Sequence, residues 1–220
     1  MVPLSFCKHD FLALAEPALY WPAKNALLVA DLHLEKASWF AAHGQMLPPY
    51  DSIETLRRLE SVIEQTDAKH VYCLGDNFHD DDGERRLDGQ AAELLRKLTA
   101  THDWLWISGN HDKAVEGRWG GQTAVEQEVS GIMLRHQAEA GENGPEISGH
   151  YHPKWKIRAK GRTVSSQCFV ASSSKLILPS FGVLTGGLNA NHPEICNMVG
   201  PESAALVVAG DKLCGFPISR

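Results

Sequence analysis

The sequence predicts a mixed α/β fold, read as a single domain over residues 1–220. Three observations carry that reading. Apolar runs alternate with amphipathic helical segments through the first half, the second half breaks into short strand-like runs joined by turns, and each early apolar run ends abruptly in polar residues.

Taken in order, Ala26-Leu27-Leu28-Val29-Ala30 reads as a buried strand that runs directly into Asp31-Leu32-His33. From Asp51 to Gln65, Ile53, Leu56, Leu59, Val62 and Ile63 recur at three- and four-residue spacing behind an Asp51-Ser52 cap, the pattern of an amphipathic helix. The next apolar run, His70 to Leu74, ends in Gly75-Asp76. Helical spacing returns from Leu87 to Leu98, and the strand Trp104 to Ser108 then ends in Gly109-Asn110-His111-Asp112. Three strand-loop-helix units in succession imply parallel strands with crossover helices, and ligand sites in such sheets gather at the carboxyl ends of strands. The polar clusters are therefore expected along one sheet edge.

Beyond residue 130 the runs shorten to Ile132 to Arg135, Glu146 to Ser148, Cys168 to Ala171, Lys175 to Leu178, Ala204 to Val208 and Lys212 to Phe216. Tight turns such as Ser172-Ser173-Ser174 and Ala209-Gly210-Asp211 join several of them, so an antiparallel second sheet is expected. Gly141 to Pro145 reads as a surface turn.

Hydrophobic content of 43% and charged content of 22% match a soluble globular protein, and no apolar run nears the roughly 18 residues that span a membrane. The start MVPLSFCKHDFLAL is interrupted by Lys8-His9-Asp10, which argues against a cleaved signal and for a cytoplasmic protein. Five cysteines without a CxxC pair read as incidental thiols. A net charge of -6 excludes a surface that tracks nucleic acid everywhere, although a local basic groove remains open. Eleven histidines exceed what packing needs and make metal ligation the chemistry to test.

Five polar clusters stand in order: Asp31-Leu32-His33, Gly75-Asp76, Gly109-Asn110-His111-Asp112, His136, and Gly149-His150-Tyr151-His152. Each alone is more often a turn or a hydrogen-bonded strand end than a ligand set. Together they supply the carboxylates, imidazoles and side-chain amide that two adjacent divalent ions require.

This ordered set resembles the signature of the calcineurin-like metallophosphoesterases from about Leu27 onward. Within that superfamily the chain looks most like the bacterial ligase-associated DNA damage response endonucleases, through DLHLEKASWF at Asp31 to Phe40, GDNFHD at Gly75 to Asp80, SGHYHP at Ser148 to Pro153 and LPSFGVLTGGLN at Leu178 to Asn189. In many relatives a glycine follows the first histidine motif where this chain has Glu35, which leaves the local turn open.

The resemblance implies a four-layer α/β/β/α sandwich, two mixed sheets flanked by helices. It implies two divalent metal ions, manganese by family and iron or zinc equally suited to the donor set. Asp31, His33 and His152 would bind the first ion, Asn110, His136 and His150 the second, and Asp76 would bridge them. Asp31 and His33 alternate along what reads as extended chain, as do His150 and His152, so each pair is expected to point to one side. A water shared by the ions would attack a phosphodiester, His111 would protonate the leaving group or steady its charge, and Asp112 would orient His111.

The substrate implied is nucleic acid, cut in the manner of a DNA endonuclease, or a small cyclic nucleotide such as a 2',3'-cyclic nucleotide. A phosphomonoesterase or protein phosphatase and a non-catalytic scaffold are the alternatives, and a DNA ligase partner rests on the family resemblance alone. Trp39, Phe40 and Trp119 are candidates for a homodimer contact. His79 and Asp80, followed by Asp81-Asp82, read as a solvated loop, and His9, His43, His70, His102 and His192 as bystanders. Lys154, Lys156, Arg158, Lys160 and Arg162 recur at every second position after His152, as a charged edge strand or a phosphate-tracking stripe. Ser180-Phe181-Gly182 and Thr185 to Asn189 read as a flexible loop beside the site.

Overall fold

The computed structural model describes residues 1–111, 118–141, 144–159 and 161–218. Its first sheet runs β1 (Val2–Phe6), β2 (His9–Ala13), β3 (Leu19–Trp21), β4 (Ala26–Val29), β5 (His70–Leu74), β6 (Asp103–Ile107) and β7 (Gln122–Ala124), hydrogen-bonded in that order. The first four pair antiparallel and the last four parallel. Helices α1 (Lys36–Ala42), α2 (Asp51–Thr66), α3 (Gly83–Arg86) and α4 (Gly89–Thr101) belong to the β4–β5 and β5–β6 crossovers.

The second sheet contains β8 (Glu126–Val129), β9 (Ile132–Arg135) and β10 (Glu146–Ser148). A separate two-stranded ribbon follows, β11 (Lys154–Ala159) with β12 (Arg162–Gln167). β13 (Phe169–Ala171), β14 (Lys175–Ile177), β15 (Ala204–Ala209) and β16 (Lys212–Pro217) complete the sheet in the order β16-β15-β13-β14-β10-β9-β8, with α5 (Pro193–Val199) preceding β15.

Side-chain alternation explains the layering. On β4, Leu27 and Val29 pack with Leu56, Leu59 and Val62 of α2 and Leu95 and Leu98 of α4, while Ala26 and Leu28 face Ile132, Leu134, Ile147 and Leu176 of the second sheet. A strand buried on both faces must be apolar throughout, which is why β4 reads as an unbroken run. On the far face of the second sheet, Val170, Ile177, Ala205 and Val207 pack with Ile195, Cys196 and Val199 of α5. The four layers are therefore helices, sheet, sheet, helix. All five cysteines are free, and among the described residues no helix is long and apolar enough to cross a membrane.

The structure departs from the sequence-based expectation in three places. The second sheet is mixed, as the family resemblance implies and unlike the antiparallel sheet read from its turns: β10 runs parallel to both β9 and β14, while the hairpins marked by tight turns are antiparallel as expected. Parallel pairing aligns the carboxyl ends of β9 and β10, so His136 and Gly149 leave the sheet at the same edge. Strands β7 and β8 were not expected, nor were β1 to β3. Their first turn, Cys7-Lys8, takes φ of 47° and 68° without glycine or asparagine, so the usual hairpin signal is missing.

The third departure concerns Asp51 and Ser52, which do not cap their own helix. They lie inside its first turn and reach across to the start of α1, where Ala37 N–H donates to Asp51 Oδ2 at 3.0 Å and Glu35 N–H donates to Ser52 Oγ at 2.8 Å. Ser52 in turn donates to Glu35 Oε1 at 2.8 Å. Glu35 therefore holds φ of 65°, the left-handed conformation a glycine would favour, by contacts from α2. The turn is kept and the means differ.

One ion cluster is buried between the sheet edge and its loops. Lys175 Nζ lies 2.9 Å from Glu146 Oε1 and also donates to the Glu139 carbonyl, with both ionic side chains 5% exposed, and Arg135 reaches Glu146 at 3.6 Å. Removing one member of a buried pair strands the other's charge. Lys175→Met is expected to cost about 3 kcal/mol, at the low end for such pairs because Arg135 remains near Glu146; in urea unfolding, Lys175→Met/Glu146→Leu should recover most of that loss. Asp51→Ala is expected to cost about 1 kcal/mol through the start of α1, and Asp51→Asn much less because its amide oxygen still accepts. An unchanged urea midpoint in Asp51→Ala would show that this contact does not hold α1.

Candidate functional site

The site begins where β4 and β5 end. Their ladder continues past the last strand residue, with Asp31 N–H donating to Gly75 O (3.1 Å), His33 N–H to Asp76 O (2.9 Å) and Leu34 N–H to Asn77 O (2.9 Å). Asn77 Nδ2 donates to Ile107 O at 2.9 Å and ties this pair of loops to the end of β6. The second sheet approaches closely: a Cβ on Gly149 would lie 2.6 Å from Ala30 Cβ and 2.7 Å from Asp31 Oδ2, and one on Gly75 would enter the His136 ring. Glycine at these two positions lets loops from opposite sheets touch.

Backbone conformation, not extended alternation, aims the side chains. Asp31, His33, Asp76, His150 and His152 take φ of 56°, 45°, 47°, 74° and 46°, so the expectation of extended pairs is corrected. Asp31 and His33 still converge on one group, whereas His150 and His152 diverge to two neighbouring groups. Each non-glycine residue in this region costs of order 1–3 kcal/mol and persists only where surrounding structure over-determines it. Here the ladder bonds and the two His150 N–H contacts to Asp31, at 3.1 and 3.0 Å, provide that constraint.

Two clusters result. Asp31, His33 and His152 each present a ligand atom within 4.8 Å of the others, and so do Asp76, His136 and His150. Asp76 faces both, with Oδ2 3.7 Å from His33 Nε2 and Oδ1 3.4 Å from His136 Nε2. Asn110 Oδ1 joins the second cluster, 2.8 Å from His136 Nε2 and 2.9 Å from His150 Nδ1. His111 stands apart at the exposed rim; its N–H donates to Asp76 Oδ1 at 3.0 Å, and its Nδ1 lies 3.0 Å from the His79 carbonyl. Asp112 lies outside the described residues.

The donor set suits divalent cations. Two ring nitrogens, His33 Nε2 and His152 Nε2, meet at 3.2 Å, and His136 Nε2 and His150 Nδ1 at 3.1 Å. A cation within reach of each pair would turn facing lone pairs into ligands. Burial, then the neighbouring His152 and Lys36, lower the His33 pKa to about 2, and burial followed by His136 lowers that of His150. Both rings are thus held in the neutral form that binds metal. The carboxylates of Asp31 and Asp76 are almost fully buried beside these rings, and Lys36 lies close enough to Asp76 for their charges to interact.

His79 was expected in a solvated loop and instead forms a wall of the site. Its ring stacks on His111 at 5.3 Å and 17°, with Trp39 edge-on at 5.1 Å and Phe40 stacked at 6.0 Å. The signal available in the sequence was the GDNFHD motif, whose hydrophobic Phe78 turns inward as the ladder continues (His79 N–H to Leu34 O, 2.9 Å) and so fixes His79 above it. Asp80 pairs with Arg86 and Asp82 with Arg85, both away from the clusters. Trp119 is buried beneath Arg96, whose guanidinium sits 4.9 Å from its ring centre, so only Trp39 and Phe40 of the three aromatic candidates remain part-exposed. Among the bystanders, His9 packs on Trp21, His70 pairs with Asp103, and His192 caps α5. The Phe181-Gly182 segment is held to Ala30 and Asp31 by two backbone bonds, so it buttresses the site more than it flexes.

Comparison with known proteins follows this geometry. The crystal structure of Pseudomonas putida nuclease MPE matches 97% of this chain and 98% of its own, at 27% identity and a TM-score of 0.76. Yfce, a phosphoesterase from E. coli, shows a fainter likeness, with 14% identity over 88% of this chain and 99% of its own and a TM-score of 0.45. A comparison with curated proteins finds no match. The family model for calcineurin-like phosphoesterases matches residues 25–177, which span β4 to β14 and hold every residue of both clusters. The chain therefore belongs to the calcineurin-like phosphoesterase family, hydrolases of phosphoric esters that work with divalent metals.

Proposed function

We propose that this protein is a dinuclear metal-dependent phosphodiesterase that cuts nucleic acid. The observation that carries the reading is the pair of neighbouring clusters, each with a carboxylate and two imidazoles, with one oxygen of Asp76 near each. Asp31, His33 and His152 would hold one ion and Asn110, His136 and His150 the other, with Asp76 available to both. Two divalent ions bound there would neutralise phosphate charge and acidify the attacking water. Manganese is the proposed metal on the family resemblance alone, since the mixed nitrogen and oxygen donors suit iron or zinc equally.

His111 is the proton donor to the leaving oxygen. Its Nδ1 faces the His79 carbonyl, which fixes the ring and leaves Nε2 for the substrate. Asp112, the next residue, is proposed to support the same ring. Nucleic acid is preferred over a cyclic nucleotide because the chain resembles a nuclease across nearly its whole length.

His111→Ala is expected to keep two manganese equivalents by metal analysis while losing about 10²–10⁴ of its diester turnover. Asp76→Asn is expected to lose both activity and bound metal. Hydrolysis of bis(p-nitrophenyl) phosphate should exceed that of p-nitrophenyl phosphate in the manganese-loaded enzyme and vanish after chelation. A dominant monoester rate would replace the phosphodiesterase with a phosphatase, and undiminished turnover in His111→Ala would remove its assigned role.

A further inference from the structure

Charge is divided unevenly along this chain. Between Ile147 and Pro193 there are six Lys and Arg and no Asp or Glu, so the remainder holds 15 Lys and Arg against 27 Asp and Glu. Five of the six positive residues fall at alternate positions from Lys154 to Arg162 in the sequence; Lys154, Lys156 and Arg158 lie on β11, which leaves the site directly after His152, and Arg162 opens β12 opposite Ala159, off the register positions those three share.

The ribbon is firmly seated at its base. Lys154 N–H donates to Leu188 O at 2.8 Å, Ala190 N–H donates to Lys154 O at 2.8 Å, and Cys168 N–H donates to Pro153 O at 3.1 Å. One face turns to the body, where Trp155 stacks on Phe216 at 5.3 Å and 18°. Lys156, its neighbour on the other face, is exposed. Register places Lys154 opposite Gln167, Lys156 opposite Ser165 and Arg158 opposite Thr163. Those register positions alternate positive residues with neutral hydrogen-bonding ones, and among the described ion pairs no carboxylate engages Lys154 or Lys156. Lys160 lies outside the described residues.

We propose that the β11–β12 ribbon is an arm that holds the phosphate backbone of a nucleic-acid strand beyond the phosphate being cut; this rests on the nucleic-acid reading of the site. Alternate positions along a strand repeat at about 6.6 Å, a spacing suited to successive phosphates of one chain. Backbone contacts of this kind position the strand without reading its sequence. An edge strand protected from self-association also carries charge, lysine above all, so sign alone does not separate the two. Oligonucleotide KM and its salt dependence do.

The test uses the full-length manganese-loaded protein with Lys156→Glu/Arg158→Glu, and with Lys156→Gln/Arg158→Gln in case the reversal impairs folding. Three readouts are compared with wild type: hydrolysis of bis(p-nitrophenyl) phosphate, KM for cleavage of a single-stranded oligonucleotide, and binding of a fluorescein-labelled copy of it across a salt series. The expected result is small-diester turnover within about twofold of wild type and oligonucleotide KM raised about tenfold or more. The slope of log K against log salt should fall by about 0.7 per charge removed. Unchanged KM and unchanged salt slope in both variants would overturn the arm and leave the charges as edge protection. Failure of the wild type to cut the oligonucleotide while it hydrolyses the small diester would instead overturn the nucleic-acid reading, and the arm with it.

Discussion

Everything at the site depends on one constraint: strands from two different sheets must deliver their carboxyl ends to the same edge and nearly touch. The β4–β5 ladder supplies Asp31, His33 and Asp76, and the parallel pair β9–β10 supplies His136 and His150 from the facing sheet. Gly149 against Asp31 is the contact point, and it leaves no room for a side chain. Because both sheets are buried on their inner faces, this alignment is set by the core, not by the loops that carry the chemistry.

Five cluster residues sit in left-handed backbone, and burial holds two imidazoles neutral. Both are unfavourable in isolation and both make sense around a cation, which uses neutral nitrogen donors and offsets clustered carboxylates. The rigid surroundings therefore hold these donor groups close together, which is the arrangement a metal-dependent hydrolase requires.

Much of this was legible in the sequence, and the failures share a cause. The β4, β5 and β6 runs and the α2 and α4 periodicities were plain because long, doubly buried elements carry many matching positions. The clusters were legible because their residue types fall at strand ends. What escaped depends on long-range partners: Asp51 and Ser52 look like a cap for α2 and serve α1, the Cys7-Lys8 turn has no turn residues, and His79 looks solvated until Trp39 and Phe40 are placed beside it. The parallel setting of β10 was hidden because three residues are too few to declare a direction.

The division of charge also bears on how a polyanion first meets this molecule. A surface that is mostly negative repels it over a Debye length, about 8 Å at physiological ionic strength, while the acid-free stretch from Ile147 to Pro193 attracts it. For the nucleic-acid substrate proposed above, encounters would thereby be filtered by orientation before any contact forms, and arrival from the ribbon side would be favoured. The acidic remainder would then act as a repulsive shield that keeps long polyanions from coating the protein and reserves one approach to the site.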